Sequence, residues 1–201
     1  MSATSVAQAT HVLYLHGFRS SPQSTKARKV GDWIARHRPG VVWWCPQLDA
    51  SPGAAMSAVF ARIASWPRDD RLAVFGSSLG GFYATAVAER HGGRAVLLNP
   101  AVDPARDLAS AVGESTAWHS DAPFVFRSAY IDELRALESP PKLTRPERYF
   151  ALIAQGDEVL SWREMSGRYA GCRIRLLEGS DHALSDFDDH LQETLDFVGL
   201  G

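Results

Sequence analysis

Apolar residues along this chain follow two alternating patterns. Short, nearly continuous apolar runs occur at residues 11–15 (HVLYL), 41–45 (VVWWC), 71–75 (RLAVF), 94–98 (RAVLL), 149–154 (YFALIA) and 173–177 (RIRLL). Runs of this length bounded by polar residues predict six strands. Between them the apolar positions fall at helical spacing. Ala27, Val30 and Ile34 share one face of a helix predicted over 22–37, and Ala55, Val59, Ile63 and Trp66 form a second stripe. Further helices are predicted over 78–91 and 160–169. The last is predicted over 185–198, with Phe187, Leu191, Leu195 and Val198 facing inward and Ser185 as its N-cap. Strands that are apolar on both faces belong in a parallel sheet covered by helices on both sides. The alternation therefore predicts a doubly wound α/β domain, one domain over residues 1–201, built on a mostly parallel six-stranded sheet.

One segment breaks this rhythm. Residues 101–148 carry no clear strand, two weak helical pieces near 104–112 and 131–137, and a proline cluster at Pro140, Pro141 and Pro146. A connection this long in a compact domain is expected to act as a lid or binding loop, so the segment reads as a small cap-like insertion. Trp118, Phe124, Phe126 and Tyr130 within it either line an apolar pocket or serve as ordinary packing.

Composition narrows the function classes. The chain has 201 residues, 45% hydrophobic and 22% charged, with a net charge of −2. Nothing in that balance supplies the basic face a nucleic-acid binder needs. No apolar run reaches the roughly 20 residues of a membrane span. The N-terminus has neither a basic start nor an apolar signal core, which predicts a cytoplasmic protein. Cys45 and Cys172 lie far apart and in no metal-binding or disulfide pattern, and read as small buried apolar residues. Oligomeric state is not legible.

Candidate chemistry centres on Gly76-Ser77-Ser78-Leu79-Gly80. G-x-S-x-G is a weak pattern alone, but here it follows a strand and opens a helix, the setting of a nucleophile elbow. Glycines flanking such a turn remove side chains that would collide with the adjoining strand and helix. A serine hydroxyl is a poor nucleophile until a base takes its proton. An elbow predicts the order serine, acid, then histidine at later strand ends. His182, after the sixth strand in EGSDHAL, is the histidine that fits. Asp157, in QGDEVL after the fifth strand, is the favoured acid, with Glu158 and Asp181 as alternatives. The forming oxyanion needs two backbone N–H donors. One comes from Leu79, after the serine, and the other from Phe18 in the LHGF loop after the first strand. In that arrangement His16 stabilises the turn rather than acting as a base.

LYLHGFRSSPQSTKA (13–27), FGSSLGGFYAT (75–85), LLNPAV (97–102), QGDEVL (155–160) and EGSDHAL (178–184) appear in an order that resembles the bacterial YqiA-type esterases, small α/β-hydrolase proteins. The resemblance implies the α/β-hydrolase fold, with Ser78 as nucleophile, Asp157 as acid, His182 as base, and Phe18 with Leu79 as oxyanion donors. It implies hydrolysis of carboxylic ester or thioester bonds in small acyl substrates, without metal or cofactor. Two departures stand out. Such proteins often carry asparagine before the histidine, where this chain has Asp181, and residues 103–148 match poorly, so substrate preference does not carry over. Competing expectations are a catalytically weak binding or interaction module on the same fold, or the same three side chains used for amide or carbon–carbon hydrolysis or acyl transfer.

Overall fold

The computed structural model describes residues 7–116 and 123–201. In chain order the elements are β1 (His11–Leu15), α1 (Thr25–His37), β2 (Val42–Trp44), α2 (Pro52–Ile63), β3 (Leu72–Ser77), α3 (Leu79–Arg90), β4 (Arg94–Leu98), α4 (Pro104–Asp107), β5 (Gly113–Thr116), β6 (Pro123–Phe126), α5 (Ala129–Ala136), β7 (Tyr149–Ala154), α6 (Trp162–Arg168), β8 (Arg173–Leu177) and α7 (Phe187–Phe197). Six strands form one sheet in the order β2-β1-β3-β4-β7-β8, every neighbouring pair parallel. These are the six strands that the apolar runs predict.

Strand alternation divides the core into two layers. Leu13 and Leu15 of β1, Val74 of β3, Leu97 of β4 and Ile153 of β7 point to one face, where Met56, Val59 and Ile63 of α2 and Phe82 and Val87 of α3 cover them. Val12, Tyr14, Phe75, Val96 and Leu152 point to the other face, against Val30 and Ile34 of α1 and Phe187 and Leu195 of α7. The interior strands β3 and β7 are buried along their whole length, which explains why they read as unbroken apolar runs. α3 is covered on nearly all sides, with ten buried residues from Leu79 to Ala88, so it shows no polar face in the sequence.

The long connection holds more regular structure than its sequence predicts. β5 and β6 pair antiparallel, Gly113 opposite Phe126 and Thr116 opposite Pro123. The sequence hides this hairpin because most of its positions are exposed and β5 reads GEST, with no apolar alternation to mark a strand. The first helical piece is also shorter than its pattern suggests. α4 ends at Asp107 and gives way to a 3₁₀ turn over Ala109–Ala111. At the C-terminal end, Ser185 is not the cap of α7. Asp186 precedes the helix, and the Ser185 N–H and hydroxyl instead donate to the two carboxylate oxygens of Asp181 (2.9 and 2.7 Å).

Candidate active site

The chain leaves β1 for β2 on one side of the sheet and crosses to β3 on the other. Such a reversal opens a crevice at the carboxyl ends of the strands. Leu15 ends β1 opposite Gly76 of β3, so the loops that follow both strands meet there.

Ser78 occupies the turn from β3 to α3 with φ 55° and ψ −121°, a backbone conformation that side-chain-bearing residues avoid. Two close approaches force the flanking glycines. A Cβ on Gly76 would lie 2.2 Å from the Gly80 carbonyl oxygen, and a Cβ on Gly80 would lie 1.9 Å from that of Leu15. The backbone of the turn is tied into the sheet. The Ser78 N–H donates to the Leu98 carbonyl (2.9 Å), and its own carbonyl accepts from the N–H groups of Gly81 (2.8 Å) and Ala101 (3.0 Å).

Asp157 and His182 meet across β7 and β8. His182 Nδ1–H donates to Asp157 Oδ2 at 2.8 Å, which leaves Nε2 without a proton in the neutral ring. The Asp157 side chain is fully buried and the His182 side chain 22% exposed. Asp157 Oδ1 accepts from the N–H groups of Val159 (2.8 Å) and Leu160 (2.7 Å). One oxygen of Asp157 therefore fixes its own turn while the other holds the imidazole. The two alternative acids are otherwise engaged: Glu158 Oε2 accepts from the His182 backbone N–H (3.1 Å), and Asp181 is bound to Ser185. Those bonds from Ser185 hold the Asp181 carboxyl below the usual carboxylate range.

A cavity of about 720 Å³ is lined by Ser78 and His182 together, with Gly17, Phe18 and Leu79 beside them and Ala101, Leu108, Val159 and Leu160 among its apolar residues. Its size lies within the range of small-molecule sites. The β1–α1 loop lies directly against the serine, since a Cβ on Gly17 would be 3.4 Å from Ser78 Cβ. Leu79 is the first residue of α3, where an N–H has no intrahelical acceptor. Phe18 shares the cavity wall.

His16 is 3% exposed. Its Nδ1–H donates to the Gly17 carbonyl (3.0 Å), and its Nε2 accepts the Leu48 N–H (3.1 Å). Burial lowers its pKa, and the bond to Gly17 only partly opposes this. It joins the loop after β1 to the loop after β2. The aromatic residues of the long connection divide their roles. Phe124 and Phe126 each meet Phe18 edge-on at 5.1 Å, Phe126 also packs on Tyr130, and Phe124 lines a smaller cavity of about 110 Å³ with Leu79 and Tyr83. Trp118 lies outside the described residues.

Two further residues at this edge escape motif reasoning. Lys26 of α1 lines the large cavity and donates through Nζ to the Ala183 carbonyl, next to His182. Burial pushes its pKa down to about 8, against the opposing pull of Asp181 and Asp157. It lies beside the apolar stripe of α1, and only its presence in the 13–27 block marked it. Asn99, in LLNPAV, is 1% exposed with φ 43°. A polar residue directly after a buried strand was its one signal in the sequence. Among the described residues, no group of three or more His, Cys, Asp or Glu side chains is placed to hold a metal ion. Among the same residues no helix is long and apolar enough to cross a membrane. Both cysteines are free and half-buried, and burial pushes their thiols up to about 12 (Cys45) and 11 (Cys172).

A parallel sheet in this order, with a serine turn at its switch point, is the α/β-hydrolase fold. Solved structures agree over nearly the whole chain. Est1E from Butyrivibrio proteoclasticus superposes with a TM-score of 0.67 at 16% identity, covering 96% of this chain and 86% of that one. Alpha/beta hydrolase domain-containing protein 10 from mouse gives 0.66 at 16% identity over 92% and 89%. The esterase domain of a Rhodothermus marinus protein gives 0.64 at 21% identity over 96% and 86%. Within that fold, the chain belongs to the uncharacterised protein family UPF0227, the YqiA-type family, which it matches over residues 11–199.

Proposed function

We propose that this protein is a serine hydrolase that cleaves carboxylic ester or thioester bonds of small acyl substrates through an acyl-enzyme. The observation that carries this reading is the strained Ser78 at the wall of a cavity it shares with His182, whose imidazole is held by buried Asp157. His182 Nε2 takes the Ser78 proton as the hydroxyl oxygen attacks the acyl carbonyl, and the N–H groups of Phe18 and Leu79 receive the negative charge that develops on the carbonyl oxygen. The Asp157 carboxylate stabilises the imidazolium that forms. As the carbonyl re-forms, the bond to the leaving oxygen or sulfur breaks and the imidazolium gives that atom its proton, releasing the alcohol or thiol. Water, deprotonated by His182, then attacks the acyl carbon; the bond to Ser78 Oγ breaks, the imidazolium returns its proton to that oxygen, and the acid is released. The apolar lining from Ala101, Leu108, Val159 and Leu160 suits the hydrocarbon part of an acyl group. Esterases among the similar folds support the same reading.

A fluorophosphonate probe is expected to label the wild-type protein at Ser78. Turnover across a panel of aryl and thio-linked acyl esters of increasing chain length is expected to vanish in Ser78→Ala. Equal labelling of wild type and Ser78→Ala would overturn the assignment. So would an absence of turnover above the Ser78→Ala background on the whole panel.

A further inference from the structure

The four residues Leu98 to Ala101, at the end of β4 and just beyond it, bond to the serine turn, to β7 and to the His182 loop. Two of their backbone groups clamp the serine turn: the Leu98 carbonyl accepts from the Ser78 N–H (2.9 Å), and the Ala101 N–H donates to the Ser78 carbonyl (3.0 Å). Between them, the Asn99 side chain turns the other way. Its Oδ1 accepts from the N–H of Ala154, the last residue of β7 and three before Asp157 (2.7 Å). Its Nδ2 donates both hydrogens, one to the Asp181 carbonyl (2.9 Å) and one to the His182 carbonyl (3.1 Å). The Asn99 N–H donates to the Leu152 carbonyl (2.9 Å).

We infer that Asn99 is a positioning residue, which sets the placement of the His182 loop relative to Ser78 and Asp157 by bonding one backbone group at the end of β7 and two in the His182 loop from the turn after β4, beside the residues that hold the serine turn. The inference rests on the proposed role of Ser78 and His182. Four observations point the same way. The side chain is buried at 1% exposure, so water does not compete for its bonds. A carboxamide alone among side chains of this size offers two donors and an acceptor in this geometry. The residue sits at φ 43°, a region where asparagine is among the best tolerated non-glycine residues. The non-glycine residues with positive φ among the described residues are Arg19, Ser78, Asn99 and Leu184, one after each of β1, β3, β4 and β8. The strained backbone is thus confined to the turns at the carboxyl edge, and Asn99 links the serine turn with the one that bears His182.

Asn99→Asp tests this with almost no change in shape. The carboxylate retains an acceptor for the Ala154 N–H but turns both donations to the His182 loop into contacts between oxygens. The expected result is a kcat lower by about 10- to 100-fold with KM changed by less than about threefold, because a displacement of about 1 Å at a reacting group costs that much without altering substrate binding. Fluorophosphonate labelling of Ser78 is expected to slow by a similar factor, and amide hydrogen exchange at His182, Ala183 and Leu184 to accelerate. Asn99→Ser, whose shorter hydroxyl side chain cannot reach both loop carbonyls, provides a second variant for the same measurements. Rates are taken per folded molecule, with the folded fraction read by circular dichroism. If both variants lower stability but keep kcat and the labelling rate within twofold of wild type, the positioning role is overturned and Asn99 is structural only. Failure of the underlying reading has a different signature, since the wild type would then show no turnover or labelling above Ser78→Ala, whatever the Asn99 variants do.

Discussion

At the scale of single residues, Asp157 shows how two roles fit in one side chain. Its Oδ1 closes the turn after β7 through the N–H groups of Val159 and Leu160, so Oδ2 faces His182 in a fixed direction. Asp157→Asn keeps the shape and reverses the hydrogen-bond polarity at Nδ1, which favours the wrong imidazole tautomer. The expected outcome is a folded protein whose kcat on an aryl ester falls by about 10⁴-fold, the typical penalty for that exchange in a serine–histidine–aspartate site. An asparagine variant within tenfold of wild type would transfer the orienting role to another group. The turn at Ser78 and the pairing of His182 with Asp157 were legible in the sequence because motif, order and strand-end position constrain where those residues fall. The roles of Glu158 and Asp181 were not, because three neighbouring carboxylates look alike until the turn that carries them fixes where each one points. Here Glu158 ends on a backbone N–H and Asp181 on Ser185.

At the scale of elements, the long connection is fastened to the sheet domain by a bond no pattern announces. α2 has no acidic residue in its first turn. Its N-terminus is served instead by Glu133 of α5, whose Oε2 accepts from the Ser51 hydroxyl (2.6 Å) and the Gly53 N–H (2.9 Å). A carboxylate there complements the positive end of the helix. Glu133→Ala is expected to lower stability by about 1–3 kcal/mol in urea denaturation, the range for losing hydrogen bonds to a charged group. Glu133→Gln should recover part of that loss, because it can still accept. An unchanged midpoint in both variants would show that the helix end finds other partners. The hairpin of β5 and β6 teaches the same lesson about legibility. Phe124 and Phe126 stood out as aromatic residues, but their contact with Phe18 depends on how the hairpin folds back over the loop after β1.

At the scale of the whole molecule, buried histidines tie the stability of the fold to pH. His16 and His91 are 3% and 7% exposed, and burial lowers both from the ordinary value of 6.5. The unfolded chain therefore takes up protons near pH 6.5 that the folded chain resists until lower pH. Stability is full above about 6.5 and declines as pH falls towards the folded values, because the unfolded state then binds more protons. The carboxylates held low by hydrogen bonds, Asp69, Glu147 and Asp181, act in a separate window below the usual carboxylate values. The urea midpoint is expected to be lower at pH 5.5 than at pH 7.5, with the difference reduced in His16→Gln. In His16 the proton would arrive on Nε2, where the Leu48 N–H now donates, and so would part the loops after β1 and β2. Equal midpoints at the two pH values would refute this.

The sequence by itself determined the six parallel strands, the covering helices, the serine turn and the pairing of His182 with Asp157. Each of these depends on local sterics and on an apolar pattern that repeats within a few residues. Tertiary structure alone decided the β5–β6 hairpin, the division of labour among Asp157, Glu158 and Asp181, and the hold of Asn99 on the His182 loop. Those depend on hydrogen-bond direction between segments more than 50 residues apart in the case of Asn99, and on exposed strands whose pairing leaves no apolar trace. A sequence pattern records which side chains are buried, but the direction of a buried hydrogen bond is fixed only when the strands that carry its partners lie side by side.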